Sequence, residues 1–351
     1  MREIVIVIAD LYLPPGTSDS AAEVAAAFAQ VPGLQAVGRF GTRSPLPQGW
    51  RSWLAGWAGH GELADIAPAE IAAAVLDGAQ RPQAQQTTRW IATPLELRAS
   101  HLRVHLEHRG LLSLAAAEQQ FLAAQFAGTL GAAGGSLAPL PSGDFLLSTP
   151  GLAAHPATEP ARSAGGDVAA ALPQGAAAGP LRRLVAEIEM WLHALPLNES
   201  RARRGEPPVT VLWPWGAGDP AHRSPQLPAA RAAGSLPLAF GRDAWLAGLW
   251  HLQGGGSRPL PQRLEPVLAA VADRAVVVAE VGRELQCSHP DTVAQAVARL
   301  DERLVLPAWH ALARGELAQL TVIVGDVRVQ SGRTSRLRLW RRARAGLRSF
   351  A

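Results

Sequence analysis

The chain has 351 residues, 48% of them hydrophobic, which supplies one large or two ordinary cores and excludes a disordered protein. Cys287 is its single cysteine, so an internal disulfide and a thiolate-rich metal site are both excluded. All 33 positive side chains are arginines; eight of them fall within residues 327–351, where no acid occurs, and the remaining 25 face 29 acids.

The longest strongly apolar run, Ile4 to Ala9, is far short of the ~20 residues of a membrane span, and the start lacks the basic region and cleavage site of a signal peptide. A cytoplasmic protein with no membrane partner is the expectation. Glu3 to Ala9 reads as a buried parallel strand ending at Asp10. Ser20 followed by Glu23 is a capping box and predicts a helix through Ala29. Trp53, Leu54 and Trp57 recur at helical spacing in a second helix.

From His101 to Glu107 the pattern alternates strictly, with Leu102, Val104 and Leu106 on one face, and predicts an amphipathic strand. A helix is expected over 114–130. Glycine, alanine and proline then dominate from Gly131 to Gly179 with little periodicity, which predicts irregular surface structure. Leu181, Leu184, Val185, Ile188, Leu192 and Leu195 share one helical face, and Pro196 stops that helix. Val209 to Trp213, Ala275 to Ala279 and Leu320 to Gly325 read as further strands, the last two separated by a helical stretch from Val293 to Ala313. Strands alternating with helices predict a three-layer α/β fold around a mostly parallel sheet. The expected organisation is an N-terminal lobe (1–130), an irregular segment (131–180), a C-terminal lobe of the same α/β unit (181–327) and a basic tail (328–351).

The stretch Glu187-Ile-Glu-Met-Trp-Leu-His-Ala-Leu-Pro-Leu-Asn-Glu-Ser-Arg-Ala-Arg-Arg-Gly205, followed by Val211-Leu-Trp-Pro-Trp-Gly-Ala-Gly218, resembles the most distinctive part of the RpfE-type regulatory proteins. That family joins an E-x-x-M-x-L-H helix and an N-x-x-R-x-x-G turn to a strand ending in W-x-W-G-x-G. The strand end is also similar to one in archaeal-type cofactor-independent phosphoglycerate mutases, of the alkaline-phosphatase superfamily. The resemblance implies an alkaline-phosphatase-like fold. It also implies an ancestral centre in which two divalent metals, held by aspartates and histidines at strand ends, assist attack on phosphate by a serine or threonine.

Asp10 lies where such a centre would place its first aspartate, at the ligand-binding edge of an open α/β sheet, although strand-end carboxylates are also ordinary turn residues. Thr17, Ser18 and Ser20 are the nearby hydroxyls; Ser20 already has a use as a helix cap. The departure comes downstream, where the relatives end a core strand in Asp-His and this chain has Glu280-Val281. Val281 cannot bind a metal, and neither His289 nor His310 has a paired acid at suitable spacing. His101 and His105 would lie about 13 Å apart on a strand, too far for one zinc.

Trp213, Trp215, Gly216 and Gly218 are the candidate ligand-binding turn, with glycine N–H groups open to an anion and tryptophan walls; core packing is the plainer alternative. Asn198, Arg201, Arg203 and Arg204 stand on the approach to it and could receive a phosphate or carboxylate, or simply be solvated. The tail arginines could meet nucleic acid or acidic lipid but belong to no recognised module. The leading expectation is a phosphoglycerate-mutase-like protein with a degenerate metal centre and no cofactor, which binds a small anionic ligand or a protein partner. One alternative is a metal-dependent phosphatase or mutase with a rearranged site drawn from Asp10, Ser18, Glu280 and Asp326. Another is a nucleic-acid-associated regulator using the basic tail.

Overall fold

The computed structural model describes residues 2–12, 31–76, 87–100, 103–131, 134–154, 157–175, 178–217, 236–270, 273–287 and 292–335. In chain order its strands are β1 (Glu3–Ile8), β2 (Thr42–Pro45), β3 (Thr87–Ala99), β4 (Val104–Leu111), β5 (Ser136–Pro139), β6 (Phe145–Pro150), β7 (Gly166–Asp167) and β8 (Val211–Trp215). They continue with β9 (Leu238–Phe240), β10 (Ser257–Arg258), β11 (Arg274–Ala279), β12 (Gln319–Val324) and β13 (Val327–Gly332). The chain divides into two compact units. One comprises Met1–Ala64, Ala232–Arg242 and Gly255–Ala351; the other comprises Asp65–Arg231 and Asp243–Gly254. Among the described residues no helix is long and apolar enough to cross a membrane.

The first unit is built on a seven-stranded sheet in the order β10-β9-β11-β1-β12-β13-β2. β1 runs parallel to both β11 and β12, Ile4 pairing with Ala275 and Leu320, and only the β13 contacts are antiparallel. Ile4, Ile6 and Ile8 join a core with Leu34 and Val37 of the helix Pro32–Phe40, Val297 and Leu300 of Val293–Leu300, and Ala308 of Leu306–Arg314. Val5 and Val7, pointing the other way, are fully buried as well. On that face Trp57 of the helix Gly49–Ala58 donates its indole N–H to Glu3, and Arg328, the register partner of Ile323, lies over Trp53. A strand apolar on both faces needs helices on both, so this unit is a three-layer α/β structure with a mostly parallel sheet.

The helical stretch expected over 293–313 is present but interrupted. Val293–Leu300 and Leu306–Arg314 are α-helical, with a π-helical turn at Asp301–Val305 between them. Pro307 has no N–H for the carbonyl one turn back, and the wider turn absorbs that loss. Gly315, at φ 82°, ends the helix in the left-handed region.

The second unit differs from the expected parallel alternation. Its six-stranded sheet, β5-β6-β3-β4-β7 with β8 on the remaining edge of β3, is antiparallel throughout. The stretch 131–180, where weak periodicity predicts irregular structure, contributes β5, β6 and β7 to it. The amphipathic strand is present as β4; His101 and Leu102 lie outside the described residues. The helices Ala116–Thr129 and Gly179–Ala194 pack Leu122, Phe126, Leu181, Ile188 and Trp191 onto Trp90, Phe145 and Leu147 of one sheet face. Trp213, Trp215, Ile91 and Leu95 line the opposite face beneath Ala69 and Ala72 of the short helix Pro68–Ala72.

Candidate functional site

Asp10, Glu280 and Asp326 follow the carboxyl ends of β1, β11 and β12, three neighbouring parallel strands. Asp10 is 7% exposed, and both its carboxylate oxygens are in use: Oδ1 accepts the backbone N–H of Val281 and Oδ2 that of Gly282, each at 2.6 Å. These two N–H groups begin the helix Val281–Cys287, so the carboxylate acts as its N-terminal cap. Burial nevertheless dominates and pushes the Asp10 carboxyl up to about 6. Glu280 is ion-paired to Arg283, and Asp326 sits in the β12–β13 turn, where its carbonyl accepts the Leu46 N–H. Among the described residues no three His, Cys, Asp or Glu side chains form a set that could hold a metal ion. The side chain of Val281 offers no donor. A two-metal centre is therefore not fitted by the described residues at this edge.

A second buried carboxylate, absent from the sequence-based candidates, repeats the Asp10 arrangement. Asp301, 1% exposed in the π-helical turn, accepts the N–H groups of Gly33 and Leu34 at 2.9 and 2.7 Å, at the start of the helix Pro32–Phe40. Burial pushes its carboxyl up to about 6 too. A Cβ at Gly33 would collide with Asp301, so glycine at that position is the sequence trace of the contact.

In the second unit, Asn198 and Arg201 fasten the chain on both sides of the turn at Gly205. Asn198 accepts the Val209 N–H at 2.9 Å and donates to the Val209 carbonyl at 3.0 Å, tying the helix Leu197–Arg203 to the residues leading into β8. Arg201 donates through Nε to the Pro207 carbonyl at 2.7 Å and through Nη1 to both oxygens of Glu118 at 2.9 and 2.8 Å. Gly205 takes φ 71°, which a side chain would resist. The spacing of Asn198, Arg201 and Gly205, which in this chain is N-x-x-R-x-x-x-G with one residue more before the glycine than the family pattern, thus has a folding role in full view. Glu118, 83 residues away, also receives Arg204 and the Ala115 N–H. No local pattern pairs it with Arg201.

The two tryptophans of the signature strand are buried. Trp213 donates its indole N–H to the Thr158 carbonyl at 3.0 Å, and Trp215 donates to Thr93 Oγ1 at 2.9 Å. Gly216, at φ 73°, lies against Pro68, and its carbonyl accepts the Ala69 N–H. Ser18, Thr17, Ser20, Gly218, His101, His289 and the tail beyond Ser335 lie outside the described residues.

No family model matches the chain, and no curated protein matches it. Among solved structures, the PH0037 protein of Pyrococcus horikoshii is similar over 99% of this chain and 91% of its own, at 13% identity and a TM-score of 0.47. A cofactor-independent phosphoglycerate mutase from Thermoplasma acidophilum is similar over 94% of this chain and 89% of its own, at 14% identity and a TM-score of 0.38. Scores of this size carry no argument of their own. The α/β assignment rests on the sheet of the first unit.

Proposed function

We propose that this chain is an RpfE-type, alkaline-phosphatase-like relative of the cofactor-independent phosphoglycerate mutases that has lost metal-dependent catalysis and acts by binding a small anionic ligand or a protein partner. Ancestry is argued from the signature over residues 187–218. Loss of the metal centre is argued from one observation above all: Asp10 spends both oxygens on the Val281 and Gly282 N–H groups, at the point where Glu280-Val281 replaces Asp-His. A carboxylate so engaged must share its oxygens between the helix cap and any cation it coordinates.

The competing reading, a phosphotransfer enzyme with a rearranged centre, keeps Asp10, Glu280 and Asp326 at adjacent strand ends but has a cation share Asp10 with the helix cap and Glu280 with Arg283. Metal content of protein purified without chelator, followed by phosphatase and phosphoglycerate mutase assays with and without manganese or zinc, separates the two. The proposal expects substoichiometric metal and no metal-dependent turnover. Stoichiometric metal together with turnover that a chelator abolishes overturns it.

A further inference from the structure

With Asn198 and Arg201 engaged in holding the chain together, a small anion would need another cationic partner in the second unit. One face of its sheet carries a polar row in otherwise apolar surroundings. Ser136 of β5 pairs in register with Ser148 of β6, and Ser148 pairs in register with Arg89 of β3. Register partners point to the same face, about 5 Å apart per strand, so the three side chains stand side by side. The next same-face pair along the strands is apolar, Leu146 opposite Ile91, and Ile91 is in turn opposite Trp215 of the signature strand.

Two features mark this row as more than a stray polar patch. Ser148 is 1% exposed, and its hydroxyl has no hydrogen-bond partner. A buried hydroxyl left unsatisfied costs about 1–3 kcal/mol, so a group that supplies the missing bond is favoured there. Beside it, Arg89 Nη1 meets Glu70 Oε2 at 2.6 Å, with the two side chains 13% and 16% exposed. The guanidinium is thereby held in place, with a carboxylate already showing the kind of group it accepts. Ser136, half-buried at the sheet edge, is the open end of the row.

We infer that Ser136, Ser148 and Arg89 form a binding site for a small oxyanion, a phosphate or carboxylate group, with Glu70 as the internal carboxylate that the ligand competes against. This rests on the binding reading above and gives it a ligand class and a location. The oxyanion accepts from the Ser148 hydroxyl and the Arg89 guanidinium together, a pairing that a planar fork favours over a point charge.

The test is calorimetric melting of the full chain in inorganic phosphate against chloride at matched ionic strength, since a ligand that binds the folded state raises the melting temperature by mass action. Wild type is expected to be stabilised by phosphate. Ser148→Ala removes only a hydroxyl that has no protein partner, so it should fold normally and lose most of the phosphate response. Glu70→Gln should enlarge the response by removing the competitor. Absence of any response in wild type overturns the site, as does a response that Ser148→Ala leaves intact. The latter result leaves the broader binding reading standing, whereas metal-dependent turnover overturns that reading whatever phosphate does.

Discussion

Gly282 donates its backbone N–H to Asp10 across 272 residues of chain, and Gly33 donates to Asp301 across 268. Each contact closes a helix start with a carboxylate from a distant element of the first unit. Both aspartates are buried enough that their folded pKa values rise from 3.8 to about 6 despite the N–H donors. The folded state therefore binds these two protons more tightly than the unfolded chain does. The resulting stability is fully present below pH 3.8 and is lost as the pH rises to about 6. A shift of this size corresponds to ~3 kcal/mol per aspartate. Urea unfolding across this range should show wild-type stability falling with pH, and Asp10→Asn should remove roughly half of that fall. An unchanged slope in the variant would rule the linkage out.

Arg201→Ala should destabilise the second unit by about 1–3 kcal/mol, because Glu118 is left with Arg204 and the Ala115 N–H alone and the Pro207 carbonyl loses its donor. The two side chains are only 4% and 12% exposed. Glu118→Ala should cost a similar amount, and the double variant much less than the sum, as expected of partners in direct contact. If Arg201 instead served mainly to hold a ligand, Arg201→Ala would lower ligand affinity and leave the unfolding midpoint in place. Chemical denaturation of the three variants distinguishes these outcomes.

Gly248, in the helix Ala244–Leu252, packs so closely on the segment around Ile71 that an added Cβ would fall on the Ile71 carbonyl and crowd Ala72. Backbone cannot step aside as a flexible side chain can. Gly248→Ala is expected to cost roughly 3 kcal/mol or more, although alanine is the better helix former. Thermal unfolding reads this directly, and a neutral or stabilised variant would show that the two segments can separate without loss.

Legibility in the sequence followed the range over which each feature is encoded. β1 and the helix Gly179–Ala194 were plain, because an unbroken aliphatic run and a 3.6-residue stripe are local signals. β3 was not, because Pro94 sits in its middle, and proline argues against a central strand. It is accommodated where β3 changes partners: Pro94 is paired with Leu212 of β8, its carbonyl accepts the Leu112 N–H, and a bulge follows between Leu95 and Leu97. Losing β3 concealed the antiparallel sheet that gives β5 and β6 their places. At the site, the signature residues stood out by type and spacing, but the partners that define their work, Glu118 for Arg201 and Val281 and Gly282 for Asp10, come from remote parts of the chain. Asp301 was hidden inside a helical stretch whose π turn depends on Pro307.

Asn198 gives a sharper test of the signature because its amide must do two opposite things at once. It accepts from the Val209 N–H and donates to the Val209 carbonyl, and it also donates to the Leu192 carbonyl at 3.4 Å. Aspartate has nearly the same shape but only accepts at neutral pH, so Asn198→Asp keeps the first bond and sets a carboxylate against two carbonyl oxygens. Alanine loses all three contacts without creating repulsion. Asn198→Asp is therefore expected to be the more damaging change at pH 7, by about 1–3 kcal/mol over Asn198→Ala. It should regain stability on acidification, when the protonated carboxyl can donate again. Parallel urea titrations at two pH values decide it: an aspartate variant that tolerates neutral pH as well as alanine does would mean that the amide's donor side is not what holds the Gly205 turn against β8.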